Sequence, residues 1–301
     1  MNEKFLAILD SEKIKYSLNE PMSRHTTFKI GGNADIFVEV SSVEQLKKVQ
    51  SAAKECGISV FILGKGSNLL VSDSGIIGVV VSLCKLDEVS VDGDVIECQS
   101  GTSLMNVCTA AQKAGLSGLE FAYGIPGSVG GAIFMNAGAY GGEICDVTVS
   151  VDAMDNYGNI VTFLPSDINF GYRTSVFKTN NFIILKAVLK LKAGDKAEIK
   201  KSMNDYFSRR KEKQPLDFPN AGSTFKRPQG NYAGALIEKN GLKGFSVGDA
   251  QVSEKHAGFI INRGNATCED VLGLIDAVKQ TVFKNDKVVL EPEIIHVGRK
   301  Q

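Results

Sequence analysis

Two glycine-rich segments carry the first chemical signal in this 301-residue sequence. Gly64-Lys65-Gly66-Ser67-Asn68 follows the apolar run 60–63. Pro126-Gly127-Ser128-Val129-Gly130-Gly131 lies inside the stretch 123–142, which has seven glycines and no charged residue. Glycine lets a ligand approach the main chain because no Cβ intervenes. Consecutive amide N–H groups can then form a nest for phosphate oxygens. One such segment could be a tight loop between core elements; two suggest a single large ligand that contains phosphate. The missing charge adds a second requirement. A flavin ring is flat and mostly apolar and needs a dry site, and Ile133, Phe134 and Met135 can pack around it while small residues admit it. Neither segment reads G-x-G-x-x-G, and G-x-x-x-x-G-K-[ST] is absent, so the Rossmann fingerprint and the P-loop are excluded.

These segments need elements to hold them. Val43, Leu46, Val49, Ala52 and Ala53 recur at helical spacing over 42–56, and Gly57 stands where a C-cap glycine belongs. With strands expected at 36–40, 60–63, 69–71 and 79–83, this reads as a β-α-β unit. A helix over 2–16 and a short strand at 28–30 precede it. Asp92-Gly93-Asp94 between alternating runs predicts a hairpin of 89–91 with 95–98. A helix over 104–114 ends near Gly115, and the glycine-rich stretch follows as a loop. A second hairpin joins 147–155 to 160–163, and 182–191 is a strand. A charged helix over 196–213 opens a third region. It continues with a short helix at 233–240, a strand at 257–261, a helix from Thr267 to about residue 284, and strands at 288–290 and 294–297.

Lys plus Arg and Asp plus Glu both number 34, so no net field favours nucleic acid or a membrane. Hydrophobic residues make up 43%, enough for real cores. Cys56, Cys84, Cys98, Cys108, Cys145 and Cys268 form no C-x-x-C pair. His25, His256 and His296 are scattered with no H-E-x-x-H, so no metal site is expected. Free thiols suit a reducing compartment. The N-terminus lacks the apolar core of a signal peptide and no run of eighteen apolar residues occurs, so a cytoplasmic protein is expected.

Six motifs together carry a resemblance: GKGSN-LL, GIPGSVGGA-x-x-MNAGAYGGE, FGYR, NAGSTFKRP, GDAQVSEKHAGFIIN and LEPEI. In order and spacing, from about residue 26 to 297, the chain closely resembles the UDP-N-acetylenolpyruvoylglucosamine reductase family, flavoenzymes of bacterial wall precursor synthesis. The resemblance implies an α+β protein: an FAD-binding fold of the vanillyl-alcohol-oxidase (PCMH) type with a third, substrate-binding α+β domain. The implied division is 1–83 with 287–301 as the first FAD subdomain, 84–194 as the second, and 195–286 as the substrate domain. It also implies tightly but non-covalently bound FAD, NADPH as co-substrate, a small-molecule substrate, and a monomer with no nucleic-acid or membrane partner.

The implied reaction reduces an enol ether. Negative charge develops on the carbon next to a carboxylate, so the site needs cations or donors there and a proton for that carbon. The family motifs place three catalytic roles. Arg173 in FGYR would pair with the carboxylate. Glu293 in LEPEI would stand beside it, with a raised pKa or a shared cation expected. Ser223 in NAGST would donate the proton. FAD contacts carry over to Gly64, Lys65, Gly66, Ser67 and Asn68. Pro126, Gly127, Ser128, Val129, Gly130 and Gly131 carry over for the pyrophosphate region, with Asn136, Gly138 and Ala139 farther along; Thr26 and Thr27 are weaker candidates. Lys213, Lys226, Arg227, Gln251 and His256 would meet the substrate's UDP group, although family members often carry Asn at the position of Arg227. Ala193-Gly194-Asp195 leads straight into the charged helix, which implies the short subtype without a tyrosine lid loop. A non-catalytic UDP-sugar binder and a flavin oxidase on the same scaffold are the rival readings.

Overall fold

The computed structural model describes residues 2–299. Three larger sheets organise them. The first runs in the order Tyr16–Pro21, Asn33–Glu39, Ile76–Ser82, Val60–Leu63, with Val60–Leu63 parallel to 79–82. The second is five-stranded and antiparallel, in the order Ile160–Phe163, Thr148–Met154, Ile183–Lys190, Val95–Gln99, Val89–Asp92. The third is four-stranded, in the order Asn220–Ser223, Phe259–Asn262, Ala250–Val252, Ser246–Val247. A parallel pair, Leu69–Val71 with Ile295–Val297, stands apart from them.

Local chemistry explains the helices that frame the glycine-rich segments. Val43–Glu55 begins where the Ser42 hydroxyl accepts the Gln45 N–H at 3.1 Å, and it buries Leu46, Val49, Ala52 and Ala53 along one stripe. Leu104–Ala114 begins with the same device at Ser103 and ends on Gly115 at φ +74°, a left-handed cap that suits glycine. Thr267 and Asp270 form a capping box at the start of Cys268–Asp286.

Several expectations are corrected. The stretch 123–142 is not a loop throughout, because Val129–Met135 is helical. The Ser128 hydroxyl accepts the Gly131 N–H, Asn136 closes the other end at φ +43°, and Val129, Ala132 and Ile133 are buried. Cap and burial override the poor helix propensity of two glycines. Residues 28–30 form no strand. Lys29 has φ +55° and donates its N–H to the Thr26 carbonyl, which folds the segment into a turn. Residues 288–290 are not a strand either, following the left-handed cap Lys287 at φ +59°. The first helix stops at Ser11.

Three buried cores result. One gathers Phe5, Leu46, Val49, Val79 and Val81; a second gathers Val107, Val129, Ile133, Val151 and Leu189; the third gathers Phe28, Leu70, Ile237, Leu274 and Leu290. The chain splits into two compact units. The first comprises Met1–Ser17, Ile36–Lys65 and Gly78–Arg209; the second comprises Leu18–Asp35, Gly66–Ile77 and Arg210–Gln301. The first unit holds two cores and the second holds one. Helix Lys196–Lys213 contributes Ile199 and Met203 to a core of the first unit. The three-domain division with breaks after residues 83, 194 and 286 stands as a proposal.

Candidate active site

In the first unit the two glycine-rich segments meet. A Cβ on Gly64 would stand 2.5 Å from the Ser128 hydroxyl, so any side chain there must push that hydroxyl aside. The Gly64 carbonyl accepts the Cys84 thiol at 3.2 Å. In the second unit Gly66 has φ +61°, and a Cβ there would collide with the His25 carbonyl. Among the described residues, the amides of Lys65, Gly66, Ser67 and Asn68 donate to no protein acceptor. Consecutive open N–H groups on a glycine backbone fit the phosphate oxygens of a dinucleotide.

The second segment offers less. The N–H groups of Val129 and Gly130 donate to the Thr102 and Ser100 carbonyls at 2.9 and 2.8 Å, and that of Gly131 donates to the Ser128 hydroxyl at 3.3 Å. The amides of Gly127 and Ser128 remain open among the described residues. Gly130 is there for packing, because its Cβ would press within 3.0 Å of Ser100. Farther along, 138–139 pairs with 142–143 as a small hairpin, and Tyr140 at its tip stacks on Tyr206 with ring centroids 4.7 Å apart.

Asn136 is 1% exposed and its side chain is spent on protein. Its Nδ2 donates to Glu143 Oε2 at 3.0 Å and to the Gly171 carbonyl at 3.1 Å, while its Oδ1 accepts the Cys145 N–H at 3.2 Å. Arg173 sits nearby in a tight turn in which Gly171 and Thr174 exchange N–H···O bonds of 3.0 and 3.2 Å. The arginine has φ +54°, a left-handed conformation that costs a residue with a side chain about 1–2 kcal/mol. Its Nη2 donates to the Gly138 carbonyl at 3.2 Å, and Lys178 Nζ donates to the Arg173 carbonyl at 3.2 Å. Sequence reasoning missed Ser175, 3% exposed, whose hydroxyl donates to the Phe134 carbonyl at 2.9 Å and ties the turn to the helix end. A serine two residues beyond the arginine carries no distinguishing signal by itself.

The second unit brings Ser223 and Glu293 onto neighbouring runs of main chain. Strand Asn220–Ser223 pairs with Phe259–Asn262, its register irregular around Gly222 at φ +79°, and leaves Ser223 exposed. Thr224 donates its N–H to the Gly258 carbonyl and its carbonyl accepts the Glu293 N–H, both at 2.8 Å. Asn68 braces the same glutamate: its Nδ2 donates to the Glu293 carbonyl at 3.2 Å and its carbonyl accepts the Ile295 N–H at 2.9 Å. Thr27 donates its hydroxyl to the Asn220 carbonyl at 2.7 Å, while Thr26 is buried and donates to the Ile30 carbonyl.

The expected substrate residues also lie in the second unit. Lys213 is exposed at the end of its helix. Lys226 pairs with Glu291 at 3.0 Å, and the Arg227 guanidinium lies 3.9 Å from the Tyr232 ring centroid. Both ends of Gln251 are engaged, Nε2 with the Gly244 carbonyl at 3.0 Å and Oε1 with Arg263 Nη1 at 3.2 Å. His256 accepts the Gly258 N–H on Nδ1 at 3.1 Å and packs edge-on to Phe259. Burial pushes its pKa below the usual 6.5, and the Lys243 charge adds to the effect. It therefore offers a neutral ring rather than a cation at neutral pH. Among the described residues no group of three potential ligands could hold a metal ion, and no helix is long and apolar enough to cross a membrane.

Comparison with known proteins places the chain in a family. Residues 34–164 match an FAD binding domain model, and residues 214–297 match the C-terminal domain model of UDP-N-acetylenolpyruvoylglucosamine reductase. The chain is 50% identical to the UDP-N-acetylenolpyruvoylglucosamine reductase of Clostridium novyi over 100% of its own length and 97% of the relative's. It is 51% identical to that of Caldanaerobacter subterraneus over 95% of both chains. The crystal structure of UDP-N-acetylenolpyruvylglucosamine reductase from Thermus caldophilus superposes with a TM-score of 0.80 at 35% identity, covering 94% of this chain and 98% of that one. The fold is α+β, with an FAD binding domain and the architecture of the reductase from Thermus caldophilus. The chain belongs to the UDP-N-acetylenolpyruvoylglucosamine reductase family and is an FAD-dependent oxidoreductase of peptidoglycan precursor synthesis.

Proposed function

We propose that this protein reduces the enolpyruvyl group of UDP-N-acetylglucosamine enolpyruvate to UDP-N-acetylmuramate in the cytoplasm, with NADPH as electron donor. A hydride and a proton add across one C=C bond, and NADP⁺ is released. FAD, when bound, would supply the hydride-transfer chemistry that links the nicotinamide donor to the outer vinyl carbon. The chain's residues do the rest. The open amides of Lys65, Gly66, Ser67 and Asn68 would contact one part of the cofactor, and the segment Pro126–Gly131, with the open amides of Gly127 and Ser128, would contact its pyrophosphate region.

Arg173 binds the substrate carboxylate, where a guanidinium stabilises the charge that grows during hydride addition. Ser223 gives its hydroxyl proton to the inner carbon. Serine is a weak acid, but a carbanion beside a carboxylate is a strong enough base to take that proton. Glu293, whose N–H is bonded to the carbonyl of Thr224 beside Ser223, stabilises the enol-like charge distribution. Lys213, Lys226 and Arg227 face the diphosphate, and Gln251 and His256 contact the nucleotide.

One observation carries this reading: Asn68, at the end of the open-amide loop, is bonded to the Glu293 run, and that run is bonded to the residue after Ser223. The loop that would hold the cofactor and the residues that would act on the substrate share one hydrogen-bonded framework within the second unit. An anaerobic spectral titration tests it. The purified protein is expected to be yellow, to bleach with NADPH, and to regain colour on adding the enolpyruvyl substrate. A bleached protein that stays colourless with that substrate would refute the assignment.

A further inference from the structure

Arg173 holds a backbone conformation that an arginine does not adopt unaided, so something else must hold its turn. The hydrogen bonds around it close into a ring. Asn136 Nδ2 reaches the Gly171 carbonyl at the base of the turn. Arg173, at the tip, donates to the Gly138 carbonyl. Gly138 pairs with Glu143 in the small hairpin, and Glu143 Oε2 accepts the other Nδ2 hydrogen of Asn136. The stretch 136–143 and the distant turn 171–174 are joined through one buried amide, and both of its N–H donors are used. Asn136 also stands at φ +43°, where asparagine is among the few residues tolerated.

From this closed ring we propose that Asn136 is a positioning residue for Arg173: it fixes the turn that presents the guanidinium and does not itself contact the cofactor. The inference rests on the reading of Arg173 as the group that binds the substrate carboxylate. A buried amide suits the task because each bond it loses leaves a partner unsatisfied, so the turn has one favoured place. A guanidinium displaced by as little as about 1 Å can lose on the order of 100-fold in rate.

A double-mutant cycle tests the proposal on the FAD-loaded enzyme. The variants are Asn136→Gly, which keeps the left-handed backbone accessible, Arg173→Ala, and the pair. Two readouts are taken: the rate at which substrate reoxidises the reduced flavin, and the substrate dissociation constant from its perturbation of flavin absorbance. Asn136→Gly is expected to slow reoxidation by roughly 10- to 100-fold and to weaken substrate binding in the parent. In the Arg173→Ala background the same change should cost less than about 3-fold, because coupled residues are non-additive. Additive losses in both readouts would overturn the positioning role while leaving that of Arg173 intact. An Arg173→Ala enzyme that reoxidises at the parent rate would overturn both.

If Asn136→Gly yields no folded protein, Asn136→Asp takes its place in the cycle. It preserves shape and φ tolerance but removes both donors. Protonation restores one donor, so its reoxidation rate relative to the parent should rise as pH falls. A ratio that does not change with pH would count against the proposal.

Discussion

At the scale of single residues, the two half-reactions separate the roles. Ser223 stands on a strand edge with its side chain exposed, away from the core, so its removal should leave the fold intact. Ser223→Ala is expected to bleach normally with NADPH and to reoxidise with substrate slower by about 100-fold or more, the scale of a lost proton donor. Stopped-flow absorbance follows both steps, and a normal second step would exclude the serine. His256 makes a prediction about pH. Its folded pKa lies below 6.5 because it is buried, so the unfolded chain binds the proton more readily. The stability that depends on a neutral ring is therefore complete above about pH 6.5 and is lost as pH falls through the folded value. Urea midpoints should drop more steeply below that pH for the parent than for His256→Gln; equal slopes would show that the histidine does not contribute.

At the scale of elements, the helix Val129–Met135 depends on a contact with a distant glycine. The Ser128 hydroxyl caps it and also faces Gly64. Gly64→Ala would drive a methyl group into that hydroxyl and displace the cap, at a cost of about 1 kcal/mol from the cap alone. Chemical denaturation should register the loss, and FAD retained after gel filtration should fall with it. Adding Ser128→Gly removes the obstacle and should restore part of both. If Gly64→Ala binds FAD at the parent level, the two segments do not constrain each other as the packing indicates.

At the scale of the whole molecule, each compact unit carries expected FAD contacts of its own: Gly64, Lys65, residues 126–131, Asn136, Gly138 and Ala139 in the first, and Gly66, Ser67 and Asn68 in the second. A ligand that binds only the folded chain stabilises it by mass action, about 2.7 kcal/mol at a hundredfold excess over Kd. Protein stripped of flavin should melt several degrees lower than the FAD-saturated form, with a midpoint that climbs with FAD concentration. A midpoint indifferent to FAD would contradict a cofactor role for these loops. The thiols report on the same cores. Burial pushes Cys98, Cys108 and Cys268 up to about 12. These three should resist alkylation at about pH 8 until the chain unfolds.

Much of this was legible from residue order alone. The glycine C-caps, Thr267, the Asp-Gly hairpin and the 3.6-residue stripes act over a few positions, so the helices expected at 42–56, 104–114, 196–213 and 267–284 could be read nearly as they form, as could the six motifs of the family. Tertiary structure decided which polar groups are already satisfied. Nothing in the motifs themselves shows that Gly130 gives its N–H to Ser100, that Asn136 spends both donors on Glu143 and Gly171, or that Gln251 is held at both ends. Glu143 and Gly244 lie seven residues from their partners, whereas Ser100, Gly171 and Arg263 lie farther along the chain from theirs. A hydrogen bond needs its two atoms within about 3 Å, and only the folded chain determines which distant atoms meet.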